Sequence, residues 1–323
     1  MGAWAAPLGS PSCREASPVS VLPDAVRESS GVAVAGAPGV TFPPPPTAGW
    51  ESGPGTFWTH NDSGWPAEIF RVTTDGVLMD RVQVSGSDNV DWEDMAAGPC
   101  PDADGAGERC LYLADTGDNL ERRASLDIYR IREPGPGATR SEPAQRLRLR
   151  LPHGPRDIEA LILLENETFL LVTKGRNHAV EVYLLDPAEA ADVEWFAADP
   201  AVVFEARRVQ TLTSGPPGWR GLVTGAAAAP LEEGGWLVAL RTYQSLQFFR
   251  VSLHAGDGPL VEIPGGEMSL LHLREPQGEA VGFAGGGFIV LTSEGGLAGG
   301  PASMRRLDCS VGFGRWGVAP LER

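Results

Sequence analysis

The sequence predicts an all-β fold, because one unit made of strands and turns recurs five times along its 323 residues. Each unit opens with a strand of small or acidic residues, and an apolar strand that runs into polar residues follows it. The openings lie at 30–33, 92–96, 158–161, 224–227 and 278–281, and the following strands lie at 56–62, 110–115, 169–174, 236–241 and 288–293. Steps of 62, 66, 66 and 54 residues separate the positions taken as equivalent, which are Gly31, Glu93, Glu159, Gly225 and Glu279. A repeat of this length without helices indicates blades around a central axis, as in a β-propeller.

We expect five blades, each a four-stranded antiparallel sheet. The last unit contains only three predicted strands, at 279–283, 288–291 and 303–307. A strand at 18–23 can supply the fourth, which closes the ring and removes free sheet edges. Residues 1–17 are then a flexible lead-in, and residues 18–323 form a single propeller domain. Six blades are the alternative if residues 253–278 contain a further blade.

Composition excludes several classes of partner. The formal net charge is −16, which repels polyanions, so we expect no binding to nucleic acid. No stretch approaches the roughly 18 apolar residues of a membrane helix, so no membrane span is expected. An acidic surface suits cations. We expect a monomer.

The four cysteines are spaced as two disulfide pairs. Cys100 and Cys110 bracket a turn-rich hairpin connection, and a closed ring brings Cys13 beside Cys309. Two such bridges favour an oxidising compartment, so we expect a secreted or periplasmic protein. Four unpaired, buried thiols are the alternative. No basic and apolar signal-peptide pattern is evident at the N-terminus, residues 1–7.

Acidic side chains recur where the predicted strands meet the channel. The innermost strands of a propeller line its channel, so Glu93, Glu159 and Glu279 are expected to face one another there and are the candidate catalytic residues. The following turns add the candidate metal ligands, which are Asp62, Asp115 and Asp118. Carboxylate oxygens suit Ca²⁺, which takes six to eight oxygen ligands. The alternative is structural, because strand-end glutamates tie down backbone amides and aspartates cap turns.

Cationic and imidazole side chains are the candidates for contact with a ligand. Lys174 and Arg241 are expected at matching positions of later blades, where they would hold a phosphate or a carboxylate. His60 is a further candidate, although a hydrogen-bonded turn histidine is the alternative. These residues predict a small anionic ligand or substrate.

Five motifs carry a resemblance to a known group of proteins. They lie at 59–64 (THNDSG), 89–94 (NVDWED), 115–119 (DTGDN), 157–161 (DIEAL) and 241–243 (RTY). Over roughly residues 28–295 the chain resembles bacterial exported propeller proteins, most of which have no assigned activity. More distantly it is similar to the β-propeller phytases, which are calcium-dependent phosphatases with acidic residues, lysine and arginine at the channel mouth. Residues 28–31 (ESSG) stand where a phytase carries an Asp-Asp-Pro-Ala element.

Two functions of different class remain open at this stage. The first is an exported, calcium-binding propeller that hydrolyses a small anionic ester, such as a phosphoester, with the help of the metal. The alternative is a non-catalytic propeller that binds a ligand or partner and uses calcium for rigidity. A glycosidase is also compatible with carboxylates that face each other across a sugar. The chain lacks a nucleophile elbow, a phosphate-binding glycine loop and a dinucleotide fingerprint, which argues against serine hydrolase, kinase and dehydrogenase chemistry. A hydrolase of anions needs both Lys174 and Arg241 in the channel.

Overall fold

The computed structural model describes residues 12–36, 55–101, 108–186, 196, 202–231, 234–254, 256, 258–284, 287–296 and 299–309. These residues form five sheets arranged as a five-bladed β-propeller, so the predicted all-β class and blade number are confirmed. Within 253–278 the described residues belong to blade 4, to the connection that follows it and to the start of blade 5, which removes the six-bladed alternative. In the described part of the chain, no helix has the length and hydropathy to cross a membrane.

The strands follow one another in chain order, from the innermost to the outermost strand of each blade. Strands β1 (Ser12–Glu15) and β2 (Ser20–Val21) belong to the last blade. Blade 1 contains β3 (Ser29–Val34), β4 (Thr56–Asn61), β5 (Glu68–Thr73) and β6 (Leu78–Ser85). Blade 2 contains β7 (Trp92–Pro99), β8 (Arg109–Asp115), β9 (Leu126–Arg132) and, after the short β10 (Arg140–Pro143), β11 (Gln145–Arg150). Blade 3 contains β12 (Ile158–Leu163), β13 (Phe169–Thr173), β14 (Glu181–Leu185) and, after β15 (Phe204–Glu205), β16 (Arg207–Thr211).

The remaining elements complete the ring. Blade 4 contains β17 (Val223–Pro230), β18 (Trp236–Thr242), β19 (Ser245–Val251) and β20 (Leu260–Ser269). Blade 5 contains β21 (Gln277–Phe283), β22 (Phe288–Glu294) and β23 (Ser303–Cys309). Single 3₁₀ turns occur at Glu165–Glu167, Trp219–Gly221 and Leu271–Leu273.

Burial along the strands follows their place in the blade. Every residue of β13 is buried, because a strand in the middle of a blade is covered on both faces by neighbouring blades. Strand β6 alternates instead: Val82 and Val84 are buried, whereas Arg81 and Gln83 are exposed. One apolar cluster fills each of the five interfaces between blades. The core is therefore a ring of inter-blade layers around the channel.

The N-terminal segment closes the ring, as predicted. Both β1 and β2 pair antiparallel with β23, and the Cys13–Cys309 disulfide joins the two ends of the chain. The second predicted bridge, Cys100–Cys110, links the ends of β7 and β8. Strand β1 lies inside the expected lead-in 1–17, so the sheet begins before residue 18; residues 1–11 lie outside the described residues.

Two short edge strands depart from the expected four-stranded antiparallel blade. Strand β10 pairs in parallel with β6 of blade 1, and β15 pairs in parallel with β11 of blade 2. In both cases the connection between the third and fourth strands of one blade runs along the outer edge of the preceding blade. This pairing covers two outer edges that would otherwise expose unpaired backbone groups.

Candidate functional site

A β-bulge recurs at the start of each innermost strand. The innermost strands contact one another around the ring, and the pairing of each with its neighbour shifts register near its first residues. The first residues left out of this pairing are Ser30, Glu93, Glu159, Thr224 and Glu279. A bulge re-aims a side chain, so these residues form one ring at the end of the channel where the innermost strands begin, which we call the channel mouth. The three glutamates are equivalent, as expected, but Ser30 and Thr224, rather than Gly31 and Gly225, complete the ring.

A second ring follows from the ends of the next strands. The residues of these strands that pair just before each bulge are Asn61, Asp115, Thr173, Thr242 and Ser293. The residues that come next in the chain, and so continue toward the mouth, are Asp62, Thr116, Lys174, Tyr243 and Glu294. Lys174 therefore matches Asp62, Tyr243 and Glu294. It does not match Arg241, which pairs with Gly225 beyond the bulge and lies two positions away in the repeat.

Two sets of carboxylates at the mouth have ligand oxygens close enough to share an ion. Asp62, Asp91 and Glu93 form the first carboxylate triad, and Glu93, Asp157 and Glu159 form the second. Within each triad the three ligand atoms lie within 4.8 Å of one another. Glu93 belongs to both.

A glycine permits this close approach. A Cβ atom built on Gly117 would collide with Glu93 Oε1 and with the carboxylate of Asp91. The backbone N–H of Gly117 donates to the carbonyl oxygen of Asp91 at 3.0 Å, which holds the glycine in that place. Any larger residue at position 117 would displace the first carboxylate triad.

Lys174 lies against the second carboxylate triad. Its side chain is buried, its Nζ forms an ion pair with Glu159 Oε1, and Asp157 Oδ2 is 4.0 Å away. Although burial favours the neutral amine, the negative charges of Glu159 and Glu93 raise the pKa of Lys174, so the side chain carries an ammonium.

Burial dominates the titration of the mouth carboxyls. It raises the pKa of Glu93 well above its ordinary value, with help from the charge of Glu159, and it raises the pKa of Glu279 as well. Burial and the neighbouring Asp62 raise the pKa of Asp91 to about 6. Burial and Glu279 raise the pKa of Glu294 to about 9. The carboxyls crowd one another, and without a cation several of them must hold protons at neutral pH.

Asp115 and Asp118, two of the expected metal ligands, each use one oxygen to build the neighbouring loop, and Asp115 Oδ2 has no hydrogen-bond partner. Asp115 Oδ1 accepts from the backbone N–H of Asp91 at 2.9 Å and from Arg123 Nη1 at 3.0 Å. Asp118 Oδ2 accepts from the backbone N–H of Arg123 at 2.7 Å. The backbone N–H of Asp118 donates to Asp157 Oδ1 at 2.9 Å, which leaves Asp157 Oδ2 without a hydrogen-bond partner. The structure brings only Asp62 of the expected three into a carboxylate triad.

Arg241 is placed between blades and not in the channel. It is fully buried, and its Nη1 donates to the carbonyl oxygens of Ala280 at 2.6 Å and Thr292 at 2.8 Å. Its Nη2 donates to Glu275 Oε2 at 2.5 Å. Gly278 provides the room, because a Cβ there would collide with the guanidinium.

His60 occupies the matching position between blades 1 and 2. Its ring meets Trp92 edge-on, with centroids 5.4 Å apart, and its Nδ1 lies 3.1 Å from the carbonyl oxygen of Asn61. Burial lowers the pKa of His60 to about 4, so the ring is neutral at physiological pH. Neither His60 nor Arg241 is exposed to a ligand in the channel.

Asp94 spans the channel one layer below the mouth. Its Oδ2 accepts from the backbone N–H of Leu161 in blade 3 at 2.9 Å and of Ala226 in blade 4 at 3.1 Å. Its Oδ1 accepts from the backbone N–H of Met95 at 2.8 Å. Burial raises the pKa of Asp94, and these three donors oppose that shift. The other repeats have small residues at this position, namely Gly31, Ala160, Gly225 and Ala280, which leaves room for the one carboxylate.

Sequence reasoning missed three carboxyls of the mouth, and it named Lys174 as an anion-binding candidate without noting that it is the single lysine. Asp91 and Asp157 each stand two residues before a bulge glutamate, so the pattern Asp-x-Glu recurs with the 66-residue period. Glu294 ends a strand in register with Asp62 and Lys174. Lys174 is also the one lysine among the 26 lysines and arginines of the chain, a count that marks the position without any structure.

No protein-family profile and no curated protein sequence matches the chain. Solved structures of similar shape include the PQQ-bound aldose sugar dehydrogenase of Streptomyces coelicolor, at 15% identity and a TM-score of 0.48 over 94% of this chain and 99% of that one. The apo-form soluble aldose sugar dehydrogenase of Escherichia coli is 8% identical, with a TM-score of 0.48 over 92% and 100% of the two chains. A gluconolactonase of Xanthomonas campestris is 12% identical, with a TM-score of 0.37 over 94% and 99%. Similarity at this level does not establish a shared activity. The resemblance to exported propellers and phytases rests on the sequence motifs alone.

Proposed function

We propose that this propeller binds a divalent cation, Ca²⁺, through the first carboxylate triad and uses it to hydrolyse a small anionic ester. The observation that carries the proposal is the imbalance of charge at the mouth. Eight carboxyl groups interact there, namely Glu28, Asp62, Asp91, Glu93, Asp157, Glu159, Glu279 and Glu294. Among the described residues, Lys174 supplies the one positive charge within ion-pair distance of them. A cluster of this kind needs either added protons or an added cation.

The donor set supports a hard cation. All ligand atoms of the two triads are carboxylate oxygens, which is the chemistry that Ca²⁺ and Mg²⁺ prefer. Asp157 is 3% exposed and belongs to the second carboxylate triad, yet its Oδ2 has no hydrogen-bond partner. Three protein carboxylates leave several positions of a six- to eight-coordinate ion for water and substrate.

The chemistry that the ion would supply is polarisation of a substrate oxygen and a lower pKa of bound water. The residues of this chain would do the rest. Asp62, Asp91 and Glu93 would hold the ion, and Glu159 is fixed by Lys174. Glu294 keeps its proton at neutral pH because its pKa is about 9, which suits a donor to a leaving group.

Glu279 is the remaining catalytic candidate. It accepts a hydrogen bond from Gln277 Nε2 at 2.8 Å and interacts electrostatically with Glu294. We assign to it the role of proton acceptor beside the donor Glu294. Burial raises the pKa of Glu279, but Lys174 and Gln277 oppose that rise, whereas neighbouring carboxylates add to it for Glu294. Acid–base catalysis uses two carboxyls whose environments differ in this way.

A panel of substrates with each cation tests the proposal. Phosphomonoesters, phosphodiesters, carboxyl esters and lactones should be incubated with Ca²⁺, Mg²⁺, Mn²⁺ or chelator, and product release should be measured. We expect hydrolysis of at least one class that depends on the cation. Glu93→Gln should abolish cation binding and turnover together, and Glu294→Gln should retain the cation while turnover falls by about 10²-fold or more. Glu267→Gln on the exposed edge of blade 4 is the matched control and should behave as the wild type.

A non-catalytic, ligand- or partner-binding propeller is the second candidate, and one observation favours it. Arg241 forms an ion pair with Glu275, and Lys174 forms one with Glu159. Neither side chain is therefore free to bind an anion, which a hydrolase of anions was expected to require. In that case the cation stiffens the mouth and no member of the panel is turned over. Cation binding without turnover would therefore select this candidate.

Export is part of the proposal. Both disulfides join residues that fold into one ring, and such bridges persist in oxidising compartments. We propose that the protein works outside the cytosol, where free calcium is available to a site of modest affinity.

A further inference from the structure

The chain contains one lysine, Lys174. Arginine supplies every other basic side chain counted in the composition of the 323 residues. The two side chains differ physically, because lysine is a compact point charge and arginine is a broad, planar fork. A site that needs a small, roughly spherical cation accepts the first and excludes the second.

Lys174 lies beside carboxylates that could hold a metal ion. Its Nζ contacts Glu159 Oε1 and lies 4.0 Å from Asp157 Oδ2, and these two residues belong to the second carboxylate triad. Its side chain is 7% exposed. Asp157 Oδ2 has no hydrogen-bond partner of its own, so the ammonium is the nearest charge that compensates it.

We infer that Lys174 is a built-in cation that fills the second carboxylate triad, so that the mouth takes one divalent cation where its carboxylates would otherwise hold two. Glu93, the residue that both triads share, then serves the divalent ion on one side and the ammonium on the other. This inference deepens the proposed function and rests on its cation site in the first carboxylate triad.

Other roles for Lys174 agree less well with its contacts. A lysine nucleophile must be a neutral amine, whereas the surrounding carboxylates keep this one charged. A lysine that recognises an anion must have its charge free, whereas this one is paired with Glu159 inside the protein. An internal counter-ion must be charged and must be paired with a carboxylate inside the protein, and Lys174 meets both conditions.

The number of bound Ca²⁺ ions tests the inference directly. Isothermal titration and metal analysis after gel filtration should give one Ca²⁺ per wild-type chain and two per chain for Lys174→Met, which keeps an unbranched side chain one atom shorter and removes the charge. Lys174→Arg keeps the charge and should stay at one or lose binding. Where the wild type binds one Ca²⁺, one ion or none in Lys174→Met would overturn the inference, and so would two ions in the wild type.

A wild-type measurement covers the case in which Lys174→Met does not fold. Because the chain has one lysine, ¹⁵N-lysine labelling gives a single side-chain signal. We expect a slowly exchanging ammonium signal that shifts on addition of Ca²⁺ and remains protected. If Ca²⁺ instead moves the signal to the position of a free, solvent-exposed lysine, the ion displaces Lys174 and the inference fails.

The two proposals fail in distinguishable ways. If the wild type binds no Ca²⁺ but Lys174→Met binds one, the proposed function is wrong and the role of Lys174 is supported. If the wild type binds one Ca²⁺ and Lys174→Met also binds one, the cation site stands and the role of Lys174 is wrong.

Discussion

Replacing Arg241 by alanine is expected to destabilise the propeller rather than to weaken a ligand. Arg241 joins blade 4 to blade 5 through two backbone carbonyls and through Glu275, whose side chain is 4% exposed. The alanine variant would leave the carboxylate of Glu275 buried without its partner. It would also leave the carbonyl oxygens of Ala280 and Thr292 without these donors.

The size of the loss follows from the burial. Breaking a buried ion pair by removing one partner costs about 3–5 kcal/mol, because the remaining charge is stranded. Unfolding entropies of about 2.1 cal/mol/K per residue give about 0.7 kcal/mol/K for a chain of 323 residues. A loss of about 4 kcal/mol therefore lowers the melting temperature by about 6 °C.

Thermal and urea unfolding of matched variants measure this effect. Arg81→Ala removes an arginine whose own side chain is 55% exposed beside its partner Glu68, and it should cost less than about 1 kcal/mol. The double variant Arg241→Met with Glu275→Gln should recover part of the stability, because no charge is stranded. A loss in Arg241→Ala as small as that of Arg81→Ala would refute the structural role, and protection of the wild type by an anion that Arg241→Ala does not bind would restore the ligand role.

Three further predictions concern the channel, the ring closure and the effect of pH. Asp94→Ala should cost about 3–5 kcal/mol in urea unfolding, since it removes a buried acceptor that serves three blades; a cost below about 1 kcal/mol would contradict this role. Replacing Cys13 and Cys309 by serine should cost about 2–5 kcal/mol, because that bridge closes a loop of almost the whole chain, and an unchanged unfolding midpoint would argue against ring closure as a source of stability. The pKa of Asp91 is raised from 3.8 to about 6, and that of Glu294 from 4.5 to about 9. The calcium-free folded state therefore binds more protons than the unfolded chain, and its melting temperature should fall as pH rises from 5 to 9. Calcium displaces those protons and should raise the melting temperature more at pH 8 than at pH 5, and a gain that is the same at both values would contradict the site.

The repeat made the blades and their innermost strands predictable. Each predicted opening became an innermost strand, because strands covered on both faces carry continuous apolar runs between turn residues. Ring closure also followed, since the last unit lacked a strand and the cysteines marked the two ends. The edge strands β10 and β15 could not be predicted, because two to four residues that pair in parallel with another blade have no periodicity of their own.

The candidate site was predicted in part. The bulge glutamates were found from the period of the repeat. The bulges themselves were not, because an extra residue in a strand leaves the run of apolar residues in the sequence unchanged. Lys174 and Arg241 were assigned to matching positions because each is the first charged residue after an apolar run, although they differ by two. Asp91 and Asp157 could have been found from recurrence, and counting would have marked Lys174, already a candidate, as the single lysine. The reach of Asp94 to two other blades depends on the ring and is visible only in three dimensions.

The most direct test of the cation site is the melting temperature of calcium-free protein with and without calcium. At a concentration 100 times the dissociation constant, a ligand of the folded state adds about 2.7 kcal/mol, which corresponds to a rise of about 4 °C for a chain of this length. We predict that rise in the wild type, its reversal by chelator and its loss in Glu93→Gln, with Glu267→Gln as the control that retains it. A wild-type melting curve that neither millimolar calcium nor chelator moves, or an equal rise in Glu93→Gln, would contradict the proposal that the channel mouth is a cation site.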